Sequence, residues 1–292
     1  MRFTEIGQQL RAFRMESGLR AEEIAARLGV SRAALYRYEK GEVIKLDTVQ
    51  RLAELLKISP LSLLGIGIEY YARPAAFFER LRQIEETADQ ILIVNEPLGS
   101  LTPSPSHDRA LADALIEAIE ADPERFGPRS AVDQMLNLLA SRKKAYQGRK
   151  PAIIAMVSAL AVQRLIETGV AGTLPIPEPS RQLCRDIAIA ELENLAALME
   201  AEPMGLQFGL IADVEPVGSF EILRSRDRAT LAINPFPADS APNVMTGVAL
   251  LTSADEAVTP HQRLAETLWR EAHKGQAAAA RLRELIARYR AR

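Results

Sequence analysis

Apolar residues recur at helical spacing through the first 65 positions of the chain. "TEIGQQLRAFRMES" places Ile6, Leu10 and Phe13 on one face and stops at Gly18. "RAEEIAARL" turns Ile24, Ala25 and Leu28 inward, with Gly29 as its C-terminal breaker. Ser31 caps a third helix. "LDTVQRLAELL" then buries Val49, Leu52, Ala53 and Leu56, and "ISPLSLLGIG" forms a last short helix from Pro60 into its glycines. The pattern predicts five helices joined by tight turns.

From residue 68 the pattern is mixed. "RPAAFFERLRQIEETA" reads as a helix with Pro74 at its start, where the missing N–H costs nothing, and this helix is expected to join the two regions directly. "QILIVNEP" is the first strand-like run, ended by Pro97. Helices are predicted around 107–121, 130–147, 151–168 and 180–201. "LQFGLIAD", "SFEILRS", "ATLAINP" and "GVALLTS" then read as short strands between turn residues. Two helices, about 254–273 and 276–290, finish the chain. The expected organisation is an all-α domain over residues 1–67 and a mixed α/β (α+β) domain over 68–292. A helical insertion separates the first strand of that second domain from the others.

Composition changes this picture little. The chain has 292 residues, 48% hydrophobic and 25% charged, which suits a globular protein with a sizeable core. A single cysteine, Cys184, permits no intrachain disulfide and is compatible with a reducing cytosol. The longest apolar run, "PAIIAMVSALAVQRLIETG", meets Gln163 and Arg164 after twelve residues, too soon for a membrane span, and reads as a buried helix. The expectation is a soluble cytoplasmic protein without a membrane partner. Charge is more informative, because the net of −2 divides into +3 over residues 1–60 and −5 over the remainder. A basic head on an acidic body suits a small nucleic-acid-binding domain joined to something else.

The chemistry of that head lies in "EEIAARLGVSRAALYRYEKG". Ala25, Val30 and Leu35 fall where two helices meeting at a steep angle would pack, and Gly29 can take the left-handed turn. Within the third helix Ala34, Leu35 and Tyr38 face one way. Arg32, Ala33, Tyr36 and Arg37 form the opposite face. Arginine can bind guanine bidentately, a small residue admits base edges, and tyrosine can touch a thymine methyl or a phosphate.

The distributed pattern R-x-x-x-G-L, E-E-I-A, L-G-V-S and Y-E-K-G, followed by a Leu/Ala-rich helix, resembles the DNA-binding domain of the Xre family (the Cro and phage-repressor family) over about residues 4–65. The resemblance implies a five-helix, lambda-repressor-like domain that binds double-stranded DNA. It assigns the contacts to Ser31, Arg32, Ala33, Tyr36 and Arg37, brings Lys40 and Lys45 to the phosphate backbone, and pairs Arg14 with Glu39 as a structural ion pair. One departure stands out. Family members commonly begin the second helix with a phosphate-binding Gln, whereas this chain has Ala21, leaving Arg20 to supply the contact through charge. One such domain makes few base contacts, so a homodimer reading two half-sites is expected.

No catalytic signature appears in the second region. The three histidines form no H-x-x-x-H or H-E-x-x-H, and one cysteine gives no ordinary zinc cluster, so neither a metal nor another cofactor is expected. No phosphate-binding glycine loop or G-x-S-x-G elbow is present either. The strand "ILIVNEP" and the late strand series resemble a phospholipase-D-like half-fold, a module some regulators use as a sensor. Its H-x-K signature is absent from His107-Asp-Arg109, His261-Gln-Arg263 and His273-Lys-Gly275, so the resemblance implies a catalytically inert module. Ligands of open α/β sheets sit beyond the carboxyl ends of strands, which makes Asn95, Glu96 and Asn234 ligand candidates as well as turn formers. "SRKKAYQGRK", with Arg142, Lys143, Lys144, Arg149 and Lys150, reads either as an anion-attracting or DNA-flanking run or as a solvated helix end. The functional expectation is a DNA-binding transcriptional regulator, not an enzyme, modulated by a small-molecule effector. The alternative is a phage-type or antitoxin-like repressor whose second domain binds a protein.

Overall fold

The computed structural model of the chain describes residues 3–64, 67–96, 98, 102–236 and 247–291. Five helices come first: α1 (Phe3–Ser17), α2 (Ala21–Leu28), α3 (Arg32–Glu39), α4 (Leu46–Leu56) and α5 (Pro60–Leu63). Leu10, Phe13, Ile24, Leu28, Leu35, Leu52 and Leu63 are buried together at their centre. The α2–α3 turn is set by Gly29 at φ 71°, which lets Val30 N–H reach Ala25 O and Gly29 N–H reach Ala26 O, a Schellman closure. Ser31 then starts α3 by accepting from Ala34 N–H at 3.1 Å. The helix stop expected at Gly65 and the strand stop expected at Pro97 fall outside the described residues.

The second region is built on one sheet. In chain order it contains β1 (Ile68–Tyr71), α6 (Pro74–Glu85), β2 (Gln90–Val94), α7 (Pro105–Ala121), α8 (Pro123–Phe126), α9 (Arg129–Arg149), β3 (Ala152–Ser158), α10 (Ala159–Thr168) and α11 (Glu178–Ala201). There follow β4 (Leu206–Ile211), β5 (Phe220–Ser225), β6 (Arg228–Ile233), β7 (Ala249–Thr252), α12 (Asp255–Glu271), β8 (His273–Lys274) and α13 (Gly275–Arg290). The described strands run in the order β1-β7-β6-β5-β2-β3-β4-β8. β2, β3 and β4 are parallel, and the remaining pairings are antiparallel. One face packs Ile91, Ile93, Ile153, Val157 and Leu210 against helices that include α6, α11 and α13. The other packs Val94, Met156, Phe220 and Leu231 against Val258, Ala265 and Leu268 of α12. Among the described residues no helix is long and apolar enough to cross a membrane.

Two expectations are corrected. The run after Pro151 is not one helix. It is the central strand β3 followed by α10, with Ser158 accepting from Ala161 N–H at the junction. A parallel strand covered on both faces is apolar throughout and loses the alternation that marks a half-exposed one. Nor does α6 join the two regions directly. "IEYY" forms β1, hydrogen-bonded to β7 at the sheet edge, because Glu69 and Tyr71 find partners inside.

Those partners weld the helical region to the sheet. Glu69 is 6% exposed, and its carboxylate accepts from Gln9 Nε2 at 2.8 Å, Tyr71 Oη at 2.7 Å and Arg80 Nε at 2.9 Å. Burial alone would push this carboxyl up, but the charge of Arg80 and the three donors hold it below its ordinary value. Around it Phe13 stacks on Tyr71 at 5.4 Å, and Glu16 accepts from the backbone amides of Ala72 and Arg73 at 2.8 and 2.9 Å.

A second buried charge cluster lies under the sheet. Arg142 is among the largest fully buried side chains, forked onto Glu85 at 2.9 and 2.6 Å and lying over the Phe78 ring. Glu221 of β5 sits in the same electrostatic environment, and burial first, then the charge of Glu96, pushes its carboxyl well above the ordinary range despite Arg142. The folded state therefore keeps a proton there that the unfolded chain has released, so stability falls as pH rises from the ordinary carboxylate range toward the raised value. Glu221→Gln should accordingly be more stable than the parent at pH 8, with an advantage that shrinks towards pH 4. Thermal unfolding across that range checks this, and a pH-independent difference would refute the assignment.

Candidate nucleic-acid interface

The surface of α3 divides sharply. Ala34 and Leu35 are buried, while Ser31, Arg32, Ala33, Tyr36, Arg37 and Lys40 are exposed. Lys45, at the N-terminus of α4, and Arg20, at that of α2, are exposed beside them. Arg32 reaches Glu22 at 2.7 Å and the Tyr36 hydroxyl at 3.2 Å, with its guanidinium 5.3 Å from the Tyr36 ring centroid. Arg37 pairs with Glu42 at 2.8 Å. Both pairs are more than half exposed on the arginine side, so solvent screens each one and it exchanges readily for a phosphate or a base edge.

The interior side holds the opposite kind of pair. Arg14 Nε donates to Glu39 Oε1 at 2.5 Å and Nη2 to Oε2 at 3.1 Å, and Glu39 is only 6% exposed. Burial disfavours the Arg14 charge, but the hydrogen bonds and charge of Glu39 raise its pKa nonetheless. An acidic residue at a helix C-terminus opposes the helix dipole and would repel phosphates, so its neutralisation from α1 matters twice. Gly7 is part of this contact. A Cβ there would lie 2.5 Å from Tyr38 O and 2.7 Å from Glu39 O, so α1 meets the end of α3 backbone to backbone. Sequence reasoning passed over Gly7, whose signal was a glycine inside an otherwise helical run.

At the start of α2, Ala21 is buried, Arg20 N–H donates to Glu23 at 2.7 Å, and Arg20 is exposed. Residues 5–63 match the family model described as a helix-turn-helix domain. The N-terminal region is a helix-turn-helix domain. A curated relative provisionally named as an HTH-type transcriptional regulatory protein, from Pyrococcus horikoshii, is 29% identical over 123 residues, 38% of each chain. The chain thus spans less than two fifths of the length of that relative. No solved structure gives a significant match.

The sites expected in the second region are separate from the helix-turn-helix domain. Asn95 follows β2 at φ 62° and donates Nδ2 to Pro216 O at 3.2 Å, while its Oδ1 is buried without a partner. Asn234 follows β6, accepts from Phe236 N–H at 3.0 Å through its side chain, and takes the Ser219 hydroxyl on its carbonyl. Both therefore hold the segment leading into β5. Glu96 borders a small apolar recess with Ile93, Met156 and Phe208. The basic run is not simply a solvated helix end. Arg142 is buried, Lys143 pairs with Asp108, and Arg149 binds Asp89 at 2.8 Å and Ala88 O at 2.9 Å. Burial separates the two kinds of charge in the helix-turn-helix domain. Glu39→Ala should cost ~3 kcal/mol in chemical denaturation by stranding Arg14. Arg32→Ala should leave the denaturation midpoint nearly where it is in the parent.

Proposed function

We propose that this chain is a sequence-specific DNA-binding transcriptional regulator that inserts α3 into the major groove. The observation that carries the reading is the two-sided charge of α3. Arg32, Ala33, Tyr36 and Arg37 share the exposed face, the carboxylate within α3, Glu39, is neutralised from behind by Arg14, and the exposed Glu22 and Glu42 are paired with Arg32 and Arg37. The name of the Pyrococcus horikoshii relative is in keeping with it. Ser31 belongs with the contact residues of this face, and the exposed Lys40, Lys45 and Arg20 are assigned to the phosphate backbone. The chain works as a homodimer, since one such domain reads only a half-site, and the second region serves effector sensing and dimerisation rather than catalysis.

Duplexes selected from a random library by the parent protein provide the test. Arg32→Ala with Arg37→Ala should weaken binding to them at least ~10-fold and relax base preference. Lys45→Ala should weaken binding to all sequences alike and lower the salt slope by ~1. Unchanged affinity and preference in the double variant would overturn the groove assignment.

A further inference from the structure

Arg32 and Arg37 share a face but are held differently. Among the described residues Arg37 meets one side-chain partner, Glu42, in the loop after α3. Arg32 is gripped from two helices. Its Nη1 meets Glu22 of α2 at 2.7 Å, its Nη2 donates to the Tyr36 hydroxyl at 3.2 Å, and its guanidinium lies over the Tyr36 ring. Tyr36 stands one turn along the same helix, so α3 itself fixes that contact. The Tyr36 hydrogen bond first and the charge of Glu22 second raise the pKa of Arg32. Glu22 contributes little to the fold. Its side chain is 54% exposed, and the carboxylate that closes the start of α2 is that of Glu23, which takes the Arg20 N–H. On a surface that meets DNA an acidic side chain weakens binding to every duplex, a cost that better discrimination between sequences offsets.

We infer that Glu22 and Tyr36 are positioning residues that hold Arg32 on a guanine edge and away from phosphates, which makes this arginine a determinant of sequence preference. The donors suffice for both tasks. A guanidinium has five N–H groups, and Glu22 and Tyr36 take one on each terminal nitrogen. The Nε–H and a second hydrogen on each terminal nitrogen remain, enough for the O6 and N7 of guanine with both protein contacts kept. A phosphate that draws Arg32 off this support breaks both contacts and leaves Glu22 uncompensated against the DNA backbone. Arg37, with Glu42 beside it, lacks the second support. These roles rest on the major-groove reading of α3 proposed above.

Binding of the full chain to two duplexes tests them: the sequence that the parent selects from a random library, and a scrambled version of it. Glu22→Gln should tighten binding to the scrambled duplex and steepen its salt slope by ~1, because Arg32 is freed for a phosphate. Binding to the selected duplex should gain less or weaken, so that the affinity ratio between the two falls ~5-fold or more. The base position relaxed should be the one that Arg32→Ala relaxes. Tyr36→Phe, which keeps the ring and removes the hydroxyl, should relax that same position and leave affinity for the scrambled duplex unchanged. Glu42→Gln should tighten binding to both duplexes alike. The roles of Glu22 and Tyr36 are overturned, with α3 still in the groove, if Glu22→Gln tightens both duplexes equally, if either variant relaxes a position other than that of Arg32, or if Glu42→Gln lowers the ratio as much. A parent chain that selects no sequence would overturn the groove reading and these roles with it.

Discussion

The buried carboxylate of Glu69 fixes the relation between the two halves of this molecule. An ionised carboxyl taken out of water is costly, and it persists here because three donors from three elements converge on it: Gln9 from α1, Tyr71 from β1 and Arg80 from α6. Only one placement of α1 satisfies them all. Apolar contacts around the network, such as Phe13 on Tyr71 and Tyr71 near Phe77, supply non-directional attraction, while the carboxylate selects the register. The helix-turn-helix domain is consequently not a bead on a tether. Its core and the core of the sheet form one continuous cluster.

Much of the helix-turn-helix domain was legible because its signals are local. Gly29 and Ser31 mark a turn and a cap within a few residues, and the division of α3 into faces follows from helical periodicity. The second region was harder to read. β3 carries the same apolar content as a buried helix, and a strand covered on both faces has no alternation to betray it. β1 is four residues long and contains a glutamate, so its signal is weaker than its place in the sheet. The seam was invisible for a different reason. Gln9 and Glu69 stand 60 residues apart, as Glu85 and Arg142 stand 57 apart, and nothing local to either partner announces the other. Arg142 in particular looked like one of several solvated cations in a basic run, since burial of a long side chain depends on what the fold places over it.

The interactions around α3 are graded in a way that suits a reader of DNA. On the outside, Arg32 with Glu22 and Arg37 with Glu42 are exposed pairs that hold the arginines extended at little free-energy cost to exchange. On the inside, Arg14 with Glu39 and the close approach at Gly7 resist separation, because parting them strands a buried charge or opens a backbone contact. The position of α3 relative to the sheet is therefore set through α1, which is held to the end of α3 at Gly7 and Arg14 and to the sheet at Gln9 and Glu69.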